Sequence, residues 1–498
     1  MKRWRLHLLL VFVFVLTLAR TPLAAPWAEV GDDVLRGDIE NLYLYGLIRG
    51  PITAWPIPWG QISVNLPGEE ERAGLPPHVQ KSLKRVTARL RRETETGRIR
   101  SQLVARASNE PALVRGFRST ARNELDTRIQ AEYMGDHFAA RLSFGDLANL
   151  DLSSNRAAFD DSYAALRLGN WLLYGGVFDK WWGPGQVSSL QFSNNARPFP
   201  KIGATRYNPT AFDLPVLRWL GPWQVDAFVG VLDDDRFISN PLEIGWRISI
   251  NPYPGLELAV SYLVTDCGDG PGADCNLFAS LSGKDNAFGN VSNGVGGADI
   301  RYSSSLLGQP FAIYGQITGE DQGTIVEPLT GVGVENASIL YGMTLWNGIG
   351  PDGGLWRLTA EYADTKIILH DTGPYNIMYE HNIYRSGYRY RGRALGFSLD
   401  NDSDLISLVG TLTDIRDWTY RLAYHHARIN RDGTTRTGFP GEPLSTSAET
   451  INIIEAGLTV PWRRGDFDIM LRLQDDDVNS PNESDYVVGI ELGLSLSF

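Results

Sequence analysis

The last stretch of the chain, residues 486–498, alternates between apolar side chains and small or polar ones. Because successive side chains of a strand point to opposite faces, this period of two predicts a strand with one apolar and one wet face. The stretch also exceeds the roughly 9–11 residues that a tilted strand needs to cross a bilayer. It fits either a membrane-spanning barrel or the edge of a soluble sandwich. The apolar positions are Tyr486, Val488, Ile490, Leu492, Leu494, Leu496 and Phe498.

The beginning of the chain is typical of an exported protein. Lys2, Arg3 and Arg5 precede an apolar run, and the small residues Ala24 and Ala25 follow it. A basic start, a short apolar core and a small-residue exit predict a signal peptide over residues 1–25. After it, no apolar stretch approaches the length of about 18 residues that marks a spanning helix.

Residues 97–498 repeat the alternation of the final stretch, and we predict eighteen strands within them. Single-chain bacterial outer-membrane barrels have an even number of strands. The pattern is weakest at residues 211–219 and 297–304. Elsewhere the two faces separate clearly, as where Trp356 is predicted to face lipid and Arg357 the lumen.

The connections between the predicted strands alternate in length. Short ones include 169–170 and 462–465, and long ones include 179–210, 265–296 and 365–404. Outer-membrane barrels have short periplasmic turns and long external loops, whereas a soluble sandwich has no reason to sort its loops by parity. The sequence therefore predicts an all-β transmembrane fold, an eighteen-stranded antiparallel barrel with its long loops outside the cell.

Tryptophans support this sidedness, because an amphipathic ring prefers the headgroup level of a membrane. We predict a periplasmic aromatic girdle from the tryptophans at or beside the short turns, namely Trp171, Trp219, Trp223, Trp346, Trp356, Trp418 and Trp462.

Residues 26–96 lack the strand pattern. Leu35, Ile39 and Leu42 follow a helical spacing behind a capping aspartate, and a second helix is predicted over 77–92. Since this segment precedes the first strand, we predict a small helical module on the periplasmic side.

Charge and cysteine content narrow the partners and the compartment. The formal net charge is −12 for the full chain, and loss of the four basic residues of the signal peptide brings it to −16. Nucleic-acid binding favours a basic face, so we expect no nucleic-acid partner. We predict that Cys267 and Cys275 form a disulfide in an oxidising compartment, since two thiols without a histidine make a poor zinc set.

Three separated motifs carry a family resemblance. They are RGPITAWPIPWG at 49–60, FDKWWGPGQVSSLQFSNNARPFPKIGATR at 178–206, and the long stretch from EYADT to NDSDLISL at 361–408. In this order they resemble the Wzi family of capsule-assembly outer-membrane proteins. The resemblance implies an eighteen-stranded barrel with a periplasmic helical module, acting as a lectin-like surface protein that helps to attach capsular polysaccharide. We also expect contact with outer-membrane lipid and insertion by the barrel-assembly machinery.

A polysaccharide site needs aromatic faces and planar polar groups, and arginine binds carboxylates of an acidic polymer in bidentate fashion. Written as a strand, YRSGYRYRGR puts tyrosines on one face and arginines on the other, so the arginines are expected to reach outward. The same residues could instead knit the loops into a plug. The predicted ligand contacts are Trp181, Trp182, Asn194, Asn195 and Arg197 in one loop and Tyr384, Arg385, Tyr388, Arg389, Tyr390 and Arg391 in the other.

We predict no catalytic residue, no metal and no cofactor. No nucleophile elbow, phosphate loop or zinc-helix motif is present, and an outer-membrane lipase would need Ser and His near the outer rim. Asp400, Asp402 and Asp404 could ligate calcium, although such a run is more often a polar loop. The main alternative function is a porin for small solutes or oligosaccharides, because eighteen strands leave room for a channel.

Overall fold

The computed structural model describes residues 26–63, 67, 72, 74–148, 157–276, 292–320, 337–366, 376–433, 444–479 and 486–498. The predicted signal peptide lies outside these residues. Within them, no helix is both long and apolar enough to cross a membrane.

The main structure is a closed antiparallel barrel, and the predicted eighteen strands are confirmed. Two short segments, before and after residue 160, pair with the same neighbour and count as one strand. The strands are β1 (Ile99–Ser108), β2 (Leu125–Met134), β3 (Phe138–Ala148), β4 (Ala157–Ala158 with Ser162–Leu168), β5 (Trp171–Val177), β6 (Lys201–Arg206), β7 (Trp223–Val231), β8 (Leu242–Tyr253), β9 (Leu256–Asp266), β10 (Asn293–Leu306), β11 (Gln309–Glu320), β12 (Ala337–Ile349), β13 (Gly354–Asp364), β14 (Asp404–Thr413), β15 (Thr419–Ile429), β16 (Glu449–Trp462), β17 (Gly465–Gln474) and β18 (Val487–Ser497).

The final strand closes the barrel. β18 pairs with β17 on one side and with β1 on the other, where Leu494 lies opposite Ala105. Its apolar face is exposed on the outside, as at Val488 and Ile490, while Glu491 on the other face is buried in the lumen. The alternation read from the sequence is therefore an outward lipid face and an inward polar face.

One predicted strand is wrong. Residues 211–219 form no strand; instead β6 is Lys201–Arg206, which pairs with both β5 and β7. The apolar residues of 211–219 do not alternate strictly, and Pro215 cannot donate a hydrogen bond to a neighbouring strand. The other weak prediction, at 297–304, is confirmed within β10.

The two ends of the barrel differ as predicted. Short turns join the strands at one end, as at 169–170, 254–255 and 463–464, and the long connections lie at the other. The exception is the connection 207–222, which lies at the short-turn end and contains a 3-10 turn, Arg218–Leu220. In outer-membrane barrels the short-turn end faces the periplasm.

Within the described residues, three helices precede the barrel strands: α1 (Asp33–Leu44), α2 (Trp59–Ser63) and α3 (Pro77–Glu93). The Asp32 side chain accepts a hydrogen bond from the Leu35 backbone N–H at 2.9 Å and so caps α1. Nine consecutive residues of α1 are buried, so the helix is enclosed on all sides. It lies inside the lumen.

α3 lies across the short-turn end. Arg85 bonds Asp38 of α1 and, at 3.0 Å, Asp417 in the turn between β14 and β15. Lys81 donates to the backbone carbonyl of Asp414 in the same turn at 2.9 Å. The helical segment thus packs into and beneath the barrel mouth.

The predicted tryptophan girdle is confirmed for some of its residues. Trp171, Trp219 and Trp462 are exposed on the outside near the short turns. Trp346 is a correction: it is fully buried, and its Nε1 donates to Asn41 Oδ1 of α1 at 3.2 Å. Its cross-strand partner is Arg357, which faces the lumen, and directly opposed side chains lie on the same face of a sheet. A position beside a turn therefore does not show whether a tryptophan faces lipid or the lumen.

Cys267 and Cys275 are joined by a disulfide in the long connection that follows β9. On intact cells, we expect a membrane-impermeant maleimide to label this protein only after reduction, because both sulfurs are bonded and on the outer side. The readout is a mass shift on a denaturing gel. Ready labelling of both cysteines without reductant would contradict the external disulfide.

Candidate functional site

The connection 178–200 turns into the lumen and is held by the barrel wall. Glu361 of β13 accepts hydrogen bonds from the backbone N–H groups of Gln186 and Ser188, each at 2.6 Å, and of Val187 at 3.2 Å. The Tyr314 hydroxyl donates to the same carboxylate at 2.8 Å. Because one carboxylate accepts hydrogen bonds from three loop N–H groups, it fixes the backbone of residues 186–188 to the barrel wall.

The N-terminal segment meets this loop from below. Glu40 of α1 pairs with Arg36 at 3.3 Å and with Arg357 of the wall, and it accepts a hydrogen bond from Gln186 Nε2 at 2.7 Å. The Arg36 guanidinium in turn lies 4.5 Å from the Phe117 ring centre, in the connection 109–124. One carboxylate therefore links helix, wall and loop.

In the part of the chain that the structure describes, four segments fill the lumen between the strands, and we call them the plug: residues 26–63, 109–124, 178–200 and 376–403. Glu257 of β9 accepts the backbone N–H of Ile52 at 2.8 Å and of Thr53 at 3.2 Å, which fixes the first segment to the wall. Buried backbone N–H groups need a hydrogen-bond acceptor, and the Glu257 carboxylate supplies it for Ile52 and Thr53.

Trp181 and Trp182, predicted ligand contacts, are fully buried in the plug. They pair with Ala54–Trp55 of the first segment as a two-residue antiparallel ladder. The following Gly183 has φ 139°, and a Cβ there would lie 2.9 Å from the Gln316 amide, so the WWGPG turn requires glycine. These rings are anchors of the plug and do not reach its surface.

Asn194 and Asn195 also bond within the plug. Asn194 Nδ2 donates to the Phe117 carbonyl at 3.1 Å, and Asn195 Nδ2 donates to the Ala394 carbonyl at 2.9 Å. Arg197 is half-buried and holds Asp160 in bidentate fashion, at 3.0 and 3.1 Å. The two amides tie three plug segments together, while Arg197 lies nearer the surface.

The tyrosines of the last plug segment point inward. The Tyr384 hydroxyl donates to the Cys267 carbonyl at 2.9 Å and the Tyr388 hydroxyl to the Gln191 carbonyl at 2.8 Å. Tyr390 packs on Phe199, with ring centres 5.8 Å apart. All three tyrosines are buried.

Arg389 does not reach outward, which corrects the two-faced strand expected for 384–391. It is buried, and its guanidinium bonds Asp400 at 2.6 and 2.9 Å and Glu380 at 2.5 Å. Only Arg389–Tyr390 is a strand, paired with Arg393–Ala394 in a tight hairpin. Because the segment turns back after two residues, the strict alternation of a strand does not apply to it.

Arg385 is the exposed residue of the predicted set, and Arg391 and Arg197 are partly exposed. Arg385 is exposed, and its guanidinium lies 4.6 Å from the ring centre of Phe237, which is itself 40% exposed. The Arg391 guanidinium is half-buried, 5.5 Å from the Tyr390 ring centre. The sequence analysis did not predict Phe237 as a ligand contact. The signal for it is a single aromatic residue in the polar connection DDDRFISNP.

The connection 232–241 is fixed against this surface. The Arg236 guanidinium donates to the Arg389 carbonyl at 2.8 Å and to the Gly387 carbonyl at 2.9 Å. The Arg391 backbone N–H approaches Asp233 Oδ1 at 3.4 Å. We call the surface formed by Phe237, Arg385 and Arg391 the loop patch.

The acidic run at 400–404 takes separate partners. Asp400 binds Arg389, and Asp404 binds Arg428 and, at 2.7 Å, Arg431. Asp402 accepts the Asn376 backbone N–H at 2.6 Å, and burial raises the pKa of its carboxyl to about 7. Across the described ranges, no group of three or more His, Cys, Asp or Glu side chains could hold a metal ion.

A Ser-His-Glu series lies on the lumen wall. Ser407 Oγ and His425 Nδ1 are 2.8 Å apart, and His425 Nε2 lies 3.7 Å from Glu455. Glu455 also binds Arg472 at 3.1 Å, so the series is part of the ion-pair network of the wall. His425 and Glu455 border a small cavity between α1 and the wall.

These features define a class of protein: an outer-membrane β-barrel whose lumen is filled by its own N-terminal segment and long loops. The family model of the capsule assembly protein Wzi matches residues 94–486. The chain belongs to this Wzi family, and the family resemblance of its loop motifs is confirmed.

Two known proteins are similar to this chain along most of its length. An uncharacterized 55.8 kDa protein in the cps region of Klebsiella pneumoniae is 26% identical over 482 residues, which cover 94% of this chain and 89% of the relative. The solved structure of Wzi from Escherichia coli, a carbohydrate-binding β-barrel of the outer membrane involved in group 1 capsule assembly, superposes with a TM-score of 0.79. It is 23% identical and covers 96% of this chain and 100% of its own.

Proposed function

We propose that the chain holds capsular polysaccharide at the cell surface as a non-catalytic, lectin-like protein, and that the loop patch is where the polymer binds. One observation carries the proposal: the plug fills the lumen, so the long-loop end is the face that it offers to a ligand outside the cell. Family membership in capsule assembly and the carbohydrate binding of the Escherichia coli protein support the same function.

The chemistry of the loop patch suits an anionic polymer. Arg385 and Arg391 can bind carboxylates of uronic acids in bidentate fashion, and Phe237 offers a ring face to sugar C–H groups. The buried residues among the predicted ligand contacts then act indirectly: they hold the backbone that carries the two arginines.

A porin is the alternative function, and the plug argues against it. Carboxylates from the wall bind backbone N–H groups of two plug segments, at Glu257 and Glu361. Such contacts oppose the displacement that an open channel would need.

We expect an Arg385→Gln, Arg391→Gln double variant to fold but to release capsular polymer into the medium. Each charge-assisted contact contributes about 1.5–3 kcal/mol, so the loss of two should weaken binding ~100-fold or more. Polymer retained on cells is measured beside heat-modifiable migration of the barrel on a gel.

The matched control is Arg416→Gln, an exposed arginine in a turn at the opposite end of the barrel. It should retain wild-type polymer. If the folded double variant also retains wild-type polymer, the loop patch is not the binding site.

A further inference from the structure

The long connection at the periplasmic end, residues 207–222, exposes large apolar side chains, whose contact with water is unfavourable. Leu214 is 60%, Val216 78% and Trp219 65% exposed. Eight of the ten residues from 211 to 220 are apolar, and most are exposed. A contiguous apolar stretch of this kind marks an interaction surface.

This connection is attached to the outer face of the barrel. Trp223 of β7 lies opposite Ile250 of β8, on the face shared with the exposed, lipid-facing Ile248. The Phe212 ring stacks on Trp223 with ring centres 4.6 Å apart and planes at 10°. The apolar stretch therefore begins on the lipid-facing side and not beneath the mouth.

Arg206 secures the attachment. Its guanidinium lies 3.6 Å from the Trp223 ring centre and donates to the Trp223 carbonyl at 2.6 Å and to the Thr210 carbonyl at 3.3 Å. At the other end, the Asn251 N–H donates to the Pro222 carbonyl at 2.8 Å, which ties the connection to β8. The segment is thus held at both ends against the lower rim of the barrel exterior.

We propose that residues 211–220 are an interfacial anchor that inserts into the periplasmic leaflet of the outer membrane. The occupant of this surface is phospholipid, because the stretch is continuous with the lipid-facing belt through Phe212 and Trp223. The exposed Arg218 beside Trp219 completes an apolar–aromatic–basic composition that suits the boundary between acyl chains and phosphate headgroups.

The test places a nitroxide spin label on the full-length protein in phospholipid bilayers, through Leu214→Cys and Val216→Cys. The native cysteines are disulfide-bonded and do not compete for the label. Collision rates with oxygen and with a water-soluble nickel chelate report the depth of each site. Asp352→Cys, in an exposed turn at the same end, is the aqueous control, and Leu422→Cys, on the barrel exterior, is the lipid control.

We expect oxygen-to-nickel ratios at 214 and 216 that are several-fold above the Asp352 site and approach the Leu422 site. Ratios equal to the Asp352 site would overturn the anchor. Protection from both reagents, or spin–spin broadening that dilution with unlabelled protein removes, would also overturn it and assign the surface to protein contact. Trp219→Cys supplies a further position if either aliphatic replacement prevents folding.

Discussion

Single-channel recordings of a Glu361→Ala variant should show ion conductance, whereas the wild-type barrel should stay closed. Glu361 is the common acceptor for three backbone N–H groups of the connection 178–200 and for the Tyr314 hydroxyl. Without the carboxylate, each buried donor is left unsatisfied at a cost of about 1–3 kcal/mol. The loop should then leave the wall, and water should fill the space between β11, β13 and α1.

The control for this variant is Asp352→Ala, which removes a carboxylate from an exposed turn without touching the plug. It should remain as closed as the wild type in the same planar bilayer. Large, stable current steps in the wild type itself would favour the porin function. An unaltered, silent Glu361→Ala barrel would mean that the plug does not depend on this carboxylate.

Replacing Arg389 by glutamine should destabilise the outer part of the plug strongly. The guanidinium forms ion pairs with two buried carboxylates, those of Glu380 and Asp400. Breaking a buried ion pair by removing one partner costs roughly 3–5 kcal/mol, because a charge remains without compensation. We expect a lower unfolding temperature and loss of the capsule polymer from cells.

The pH dependence of this variant gives a sharper test. Without the arginine, burial and mutual repulsion should raise the pKa of the two carboxyls in the folded state above their unfolded values of about 4. Raised folded pKa values mean that stability is regained as the pH falls, so Arg389→Gln should approach the wild type near pH 4–5 and differ most at pH 8. The unfolding temperature across this pH range is the measurement.

Arg385→Gln is the matched control, an exposed arginine on the same segment. It should leave the unfolding temperature unchanged at every pH. An Arg389→Gln variant that is as stable as Arg385→Gln at pH 8 would contradict the role of Arg389 as a buried bridge.

The barrel could be predicted from the sequence because lipid and lumen impose opposite demands on alternate residues. In β18, Val488, Ile490 and Leu492 are exposed on the outside, and Glu491 is buried in the lumen. The failure at 211–219 has the same cause: lipid contact makes a segment apolar whether or not it is a strand. Apolar composition alone did not distinguish β6 from the connection that follows it.

The candidate site was predicted less well, since residue types that bind sugars also hold loops together. Trp181, Asn195 and Tyr388 are suited to either task, and their partners lie in segments far away in sequence. Burial by a distant segment leaves no local pattern. Arg385 and Arg389 belong to one motif, yet Arg389 is buried between Glu380 and Asp400 while Arg385 is exposed.

The contact between Glu361 and residues 186–188 has a consequence for chimeric proteins. The loop and the wall residue that binds its backbone depend on each other, although they are far apart in sequence. Exchange of the connection 178–200 alone between related barrels would carry a new loop into a wall shaped for the old one. A donor loop should be accepted only when the receiving strands offer it an equivalent carboxylate.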